Sequence, residues 1–73
     1  MKLSKEEKII RAFGNRIREL RKKRGFGMED FADRAGFSYT QLSRIELGQI
    51  NTSVVNAVKL AEALGVAVGE LFE

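Results

Sequence analysis

Residues 28–46, MEDFADRAGFSYTQLSRIE, hold the pattern on which the fold turns. Glu29 and Asp30 sit where a helix N-terminus favours anions, and Phe31, Ala32 and Ala35 form an apolar stripe. Gly36 stands where a left-handed C′ residue ends a helix, so a short helix is expected over about 28–35. Ser38 is a good N-cap for the next one. Leu42 and Ile45 share one face of it, and Gly48 marks its stop, giving a helix over about 39–47. Only residues 36–38 separate the two.

The flanks read as helices too. Ser4 and Glu7 have capping-box spacing, and Ile9, Ile10, Phe13, Ile17 and Leu20 recur at helical intervals up to Gly25, predicting a first helix over about 5–24. Thr52 or Ser53 can cap a fourth helix whose stripe is Val54, Ala57, Val58, Ala61 and Leu64, ending at Gly65. A last short helix is expected from Val68 to Phe72. The reading is all-α: a compact five-helix domain spanning residues 1–73, with the Val-rich stretches Val54-Val55 and Val66 to Val68 leaving a small strand open.

Two short helices joined by a tight turn holding a Gly are the arrangement that lets the second helix enter the DNA major groove. The joint spacing of Ala32, Gly36, Leu42, Ile45 and Glu46 resembles the phage repressor and Cro type of helix-turn-helix family, the XRE-like transcriptional regulators. Upstream, Ile17-Arg18-Glu19-Leu20-Arg21 followed by Gly25 is similar to the family's first helix. Downstream, residues 59–66 followed by Glu70-Leu71-Phe72 are similar to its last two, so about residues 13–72 are covered. The resemblance implies a lambda repressor-like fold and sequence-specific binding of double-stranded DNA, as a regulator of repressor-like action. Each matched position has a physical reason: Ala32 is small where the third helix crosses the second, and Gly36 supplies a positive φ.

The resemblance also assigns roles. With Leu42 and Ile45 facing the core, Tyr39, Thr40, Ser43 and Arg44 are left outward, at positions the family uses on bases. Arg44 can pair bidentately with guanine; Thr40 and Ser43 suit base edges or phosphate, and Tyr39 a thymine methyl or the backbone. For each, a solvated surface residue is the alternative. Gln41, Gln49 and Asn51 suit phosphate. Where the family commonly has Ser or Thr, then Gln, and later Pro, this chain has Gly27, Met28 and Thr52. Phosphate anchoring therefore falls to the backbone amides of Met28 and Glu29. Arg21 and Glu46, which face each other in the family, are expected as an ion pair at the rim of the core. A homodimer is expected on DNA, with Val55, Val68 and Phe72 as contact candidates.

Composition narrows the alternatives. The 73 residues include no Cys and no His, which removes disulfides, thiolate nucleophiles, N/S zinc sites and imidazole chemistry. No catalytic constellation, metal site, cofactor or small-molecule pocket is read from the chain, and no segment suits a signal peptide or a membrane span, which points to the cytoplasm. Net charge is +3, but polarised: residues 1–25 hold ten Lys/Arg against three Glu, and residues 26–73 hold three against seven Asp/Glu. A basic half suits a polyanion, although a solvated charged helix explains it equally well. The competing reading is a non-catalytic protein-interaction module or antitoxin-like subunit on the same fold. Placement of Glu29, Asp30 and Asp33 discriminates between the two, since DNA binding needs the third helix, its flanking loops and the N-terminus of the second helix free of acidic residues facing the duplex.

Overall fold

Four α-helices and one 3-10 helix make up the computed structural model, which describes residues 2–73: α1 (Lys5–Lys23), α2 (Met28–Ala35), α3 (Tyr39–Glu46), α4 (Val54–Leu64) and the 3-10 helix (Val68–Phe72). Local chemistry sets the bounds. At the start of α1 the Glu7 N–H donates to Ser4 Oγ (3.1 Å) and the Ser4 N–H donates to Glu7 Oε1 (3.0 Å). These bonds from Ser4 hold the Glu7 carboxyl below its ordinary value of 4.5. Ser38 Oγ accepts from the Gln41 N–H, and Ser53 Oγ from the Asn56 N–H, each at 3.1 Å. Of the two candidate caps for α4, Ser53 therefore serves; Thr52 Oγ1 instead accepts from Asn56 Nδ2. Gly36 ends α2 at φ +81°, where the Phe37 N–H reaches back to the Ala32 carbonyl at 2.8 Å.

The core is one cluster to which every element contributes, with Ile17, Phe31, Leu42, Leu60 and Leu71 fully buried. α3 packs between α1 and α2, α4 lies on α2, and the 3-10 helix bridges α1 and α4. At eight residues α3 is too short to persist alone. It is held by Leu42 and Ile45, each worth roughly 1.5–3 kcal/mol on burial. No helix among the described residues is long and apolar enough to cross a membrane.

Four expectations change. The fifth helix is 3-10: over five residues the Glu70 N–H bonds the Ala67 carbonyl three residues back, and Glu70 Oε2 accepts from the Ala67 N–H at 3.1 Å, tightening the turn. The buried stripe of α4 is Ala57, Leu60, Ala61 and Leu64, while Val54 and Val58 face outward, because α4 is apolar around most of its girth and its packing against α2, the 3-10 helix and α1 selects the stripe. Val54-Val55 are helical, and no strand occurs among the described residues. Finally, Ile9 is exposed and Ile10 only partly covered, since the first turns of α1 run past the core.

Candidate nucleic-acid interface

The turn over residues 36–38 sets α3 with two chemically distinct faces. Leu42, Ile45 and Glu46 are buried; Tyr39, Thr40 and Arg44 are exposed, and Ser43 is half-buried beside them. Arg44 stands outside the ion pairs of the described residues, which engage Arg16, Arg21 and Arg34. An exposed guanidinium outside those pairs can present its fork of donors to a base edge or a phosphate.

Around this face lie the groups expected to meet phosphate. Gln41 is half-buried at the start of α3, and Gln49 and Asn51 are exposed in the loop after it. Met28 packs its side chain against the core, so it offers an outer partner only its backbone N–H. Gly27 caps α2 without any side-chain acceptor, and the first i→i−4 bond of the helix comes from Phe31 to the Gly27 carbonyl. The amides of the first turn thus keep their donors for an anion.

Charge placement favours a polyanion at α3 but not at the start of α2, where the Glu29 carboxylate is exposed. From Ser38 to Ser53 the only charged residues are Arg44 and Glu46, and Glu46 is buried. Asp30 is paired with Arg34 at 3.1 Å, and the Arg34 guanidinium lies 4.7 Å from the centroid of the Phe26 ring. Asp33 shares a polar cleft with Lys59 and Glu62 of α4. Glu29 is exposed in the first turn of α2. The outer face of α3 and its following loop therefore carry no carboxylate open to solvent.

Arg21 and Glu46 are brought together beneath α3. Arg21 Nε donates to Glu46 Oε2 at 2.7 Å and Nη2 to Oε1 at 3.0 Å, while Nη1 reaches the Phe26 carbonyl at 2.9 Å. The carboxylate raises the Arg21 pKa above its ordinary range. The pair lies deeper than the rim position read from the sequence, at 7% and 6% exposure, and no buried side-chain polar atom among the described residues lacks a partner. One guanidinium thus ties the last turn of α3 and the turn before α2 to α1.

The three apolar candidates are all outside: Val55 and Phe72 are well exposed and Val68 is at 36%. Val68 and Phe72 border a groove with Ile9, Ile10 and Val54, over a floor that includes Phe13 and Ala57. Phe72 is also part of the packing, its ring centroid 5.3 Å from that of Phe13. Sequence reading missed Ile9 and Val54 on this surface, having placed both in the core. Their signal was weak, because an apolar residue in an amphipathic stripe reads as interior.

Comparison with known proteins agrees with this geometry. A helix-turn-helix family model, HTH_3, matches residues 17–71. Control protein C.MunI of Mycoplasma sp is 41% identical over 61 residues, 82% of each chain. The HTH-type transcriptional regulator y4dJ of Sinorhizobium fredii is 40% identical over 58 residues, covering 80% of this chain and 75% of its own. Among solved structures, the restriction-modification controller protein C.AhdI from Aeromonas hydrophila superposes with a TM-score of 0.84 at 41% identity, covering 86% of this chain and 96% of its own. With its motif, its core and most of its length matched, the chain belongs to the HTH_3 helix-turn-helix family of DNA-binding transcriptional regulators.

Proposed function

We propose that this helix-turn-helix regulator acts in the cytoplasm and reads operator DNA as a two-fold homodimer, with α3 of each protomer in a major groove. Tyr39, Thr40, Ser43 and Arg44 face base edges; Gln41, Gln49, Asn51 and the amides of Met28 and Glu29 hold phosphates. The observation that carries the reading is the outer face of α3, which presents Arg44 and no open carboxylate while Asp30 and Asp33 lie on the α2 and α4 side. Kinship with C.MunI and C.AhdI supports a controller role, with repression of a target promoter as its simplest action.

An apolar groove lined in part by Ile9, Val54, Val68 and Phe72, together with the exposed Val55 that follows Val54 in the chain, is the feature that favours a protein-interaction role. It is assigned here to a second copy of the chain, because one short helix in one groove supplies little affinity and two-fold pairing doubles the contact. Selection from random duplex DNA tests the reading. The expected product is a pair of inverted half-sites about one helical turn apart, bound with affinity that falls by roughly 0.9 log units per phosphate contact per decade of salt. Failure to enrich any duplex, or binding that ignores salt, would overturn it.

A further inference from the structure

At Gly14, α1 meets the backbone of the last turn of α3 with no side chain of its own in between. A Cβ on Gly14 would lie against the carbonyl oxygen of Ile45 and 2.7 Å from that of Glu46. Both are backbone atoms and cannot swing aside. On the opposite side of the contact, Gly48 has φ +71°, and a Cβ there would sit 2.6 Å from Arg11 Cγ and 2.9 Å from Arg11 Cα. Arg11 and Gly14 are one turn apart on α1, so the two glycines form one seat for the end of α3. Two turns further along α1, Arg21 holds the Glu46 carboxylate. The last turn of α3 is thus seated on backbone at one level and locked by an ion pair at another.

We propose that Gly14 is a positioning residue for DNA recognition: its missing side chain sets the depth and tilt at which α3 meets the duplex. The proposal rests on the reading of α3 as the groove-entering helix. With a rise of about 1.5 Å per residue, Ser43 and Arg44 lie within roughly 5 Å along the axis of the Glu46 carbonyl. Restoring ordinary contact distance to a methyl at Gly14 moves that end of α3 by roughly 1 Å, and base-edge hydrogen bonds tolerate only a few tenths of an ångström. Phosphate contacts through long side chains absorb such a shift, so discrimination fails before attraction does.

Gly14→Ala tests this against Asn15→Ala, an exposed neighbour on the same helix. Ala is the better helix former, so intrinsic propensity favours the Gly14 variant and any loss comes from the contact. Binding is measured by fluorescence anisotropy on the duplex selected by the wild type and on a scrambled duplex, at a temperature where circular dichroism shows each variant folded. The expected result is about a tenfold loss on the selected duplex, an unchanged affinity for the scrambled one, and no effect of Asn15→Ala. Arg44→Ala should also cost less in the Gly14→Ala background than in the wild type. Wild-type affinity and selectivity in Gly14→Ala, or a parallel loss on both duplexes, would overturn the proposal. If Gly14→Ala does not fold, Gly48→Asn replaces it, since Asn tolerates positive φ; the same loss of selectivity is expected, and failure of both variants to fold would assign the seat to folding alone. A wild type that selects no duplex would instead overturn the reading of α3 and this inference with it.

Discussion

Replacing Glu46 by Gln removes one charge, adds no volume and leaves Arg21 facing a neutral amide. Both side chains are nearly excluded from water, at 9% and 5% exposure, so solvent cannot take over the lost contact. Breaking a buried pair by removing one partner typically costs about 3–5 kcal/mol. Two features reduce that here: Gln keeps one carbonyl acceptor, and Arg21 retains its bond to the Phe26 carbonyl at 2.9 Å. A loss of about 2–3 kcal/mol follows, which for a chain this small lowers Tm by roughly 10–20 °C. The same change makes the protein more positive, which by charge alone tightens DNA binding. The geometry predicts weaker binding to a selected duplex, because the pair anchors the last turn of α3. Thermal melts and titrations of Glu46→Gln, Arg21→Gln and the double variant give the coupling energy. A coupling near zero, together with tighter binding by Glu46→Gln, would refute the reasoning.

Arg44→Ala should relax discrimination at one or two base positions by about 1–3 kcal/mol, while Gln49→Ala weakens all sequences alike. Affinities across a mutated duplex series separate the two, and a uniform loss for Arg44→Ala would make Arg44 a phosphate contact. Val55→Asp, on a residue 64% exposed, should leave the melting temperature nearly unchanged. It should abolish the proposed dimer in sedimentation and shrink the footprint to one half-site, and a dimer that survives would move the interface elsewhere.

How much was legible in the sequence depended on whether a feature is local. Ser4, Ser38 and Ser53 announce helix starts, and Gly36 and Gly65 announce stops, because caps and left-handed residues are satisfied within a few residues of chain. Leu42 and Ile45 were legible as the buried face of α3 for the same reason, being one turn apart among polar neighbours. In α4, by contrast, two adjacent apolar stripes are available, and the choice between Val58 and Leu60 is made by the elements packed against it, α2, the 3-10 helix and α1, rather than by the helix itself. Gly14 gave no signal, since a glycine inside a helical pattern looks like a weak helix former until the partner backbone is seen. The Arg21–Glu46 contact was reachable only through resemblance, because 25 residues separate its members.

If the proposed base contacts hold, the residues of α3 that anchor it and those that read DNA are different side chains, which makes the protein's preference portable. Leu42, Ile45 and Glu46 hold the helix in place; Tyr39, Thr40, Ser43 and Arg44 have no part in the buried cluster. Those four positions can therefore be exchanged for their counterparts in a relative without disturbing the scaffold beneath them. A gene duplication followed by drift at these sites would yield a second regulator with the same stability and a different target, and a designer could take the same route in one round of synthesis.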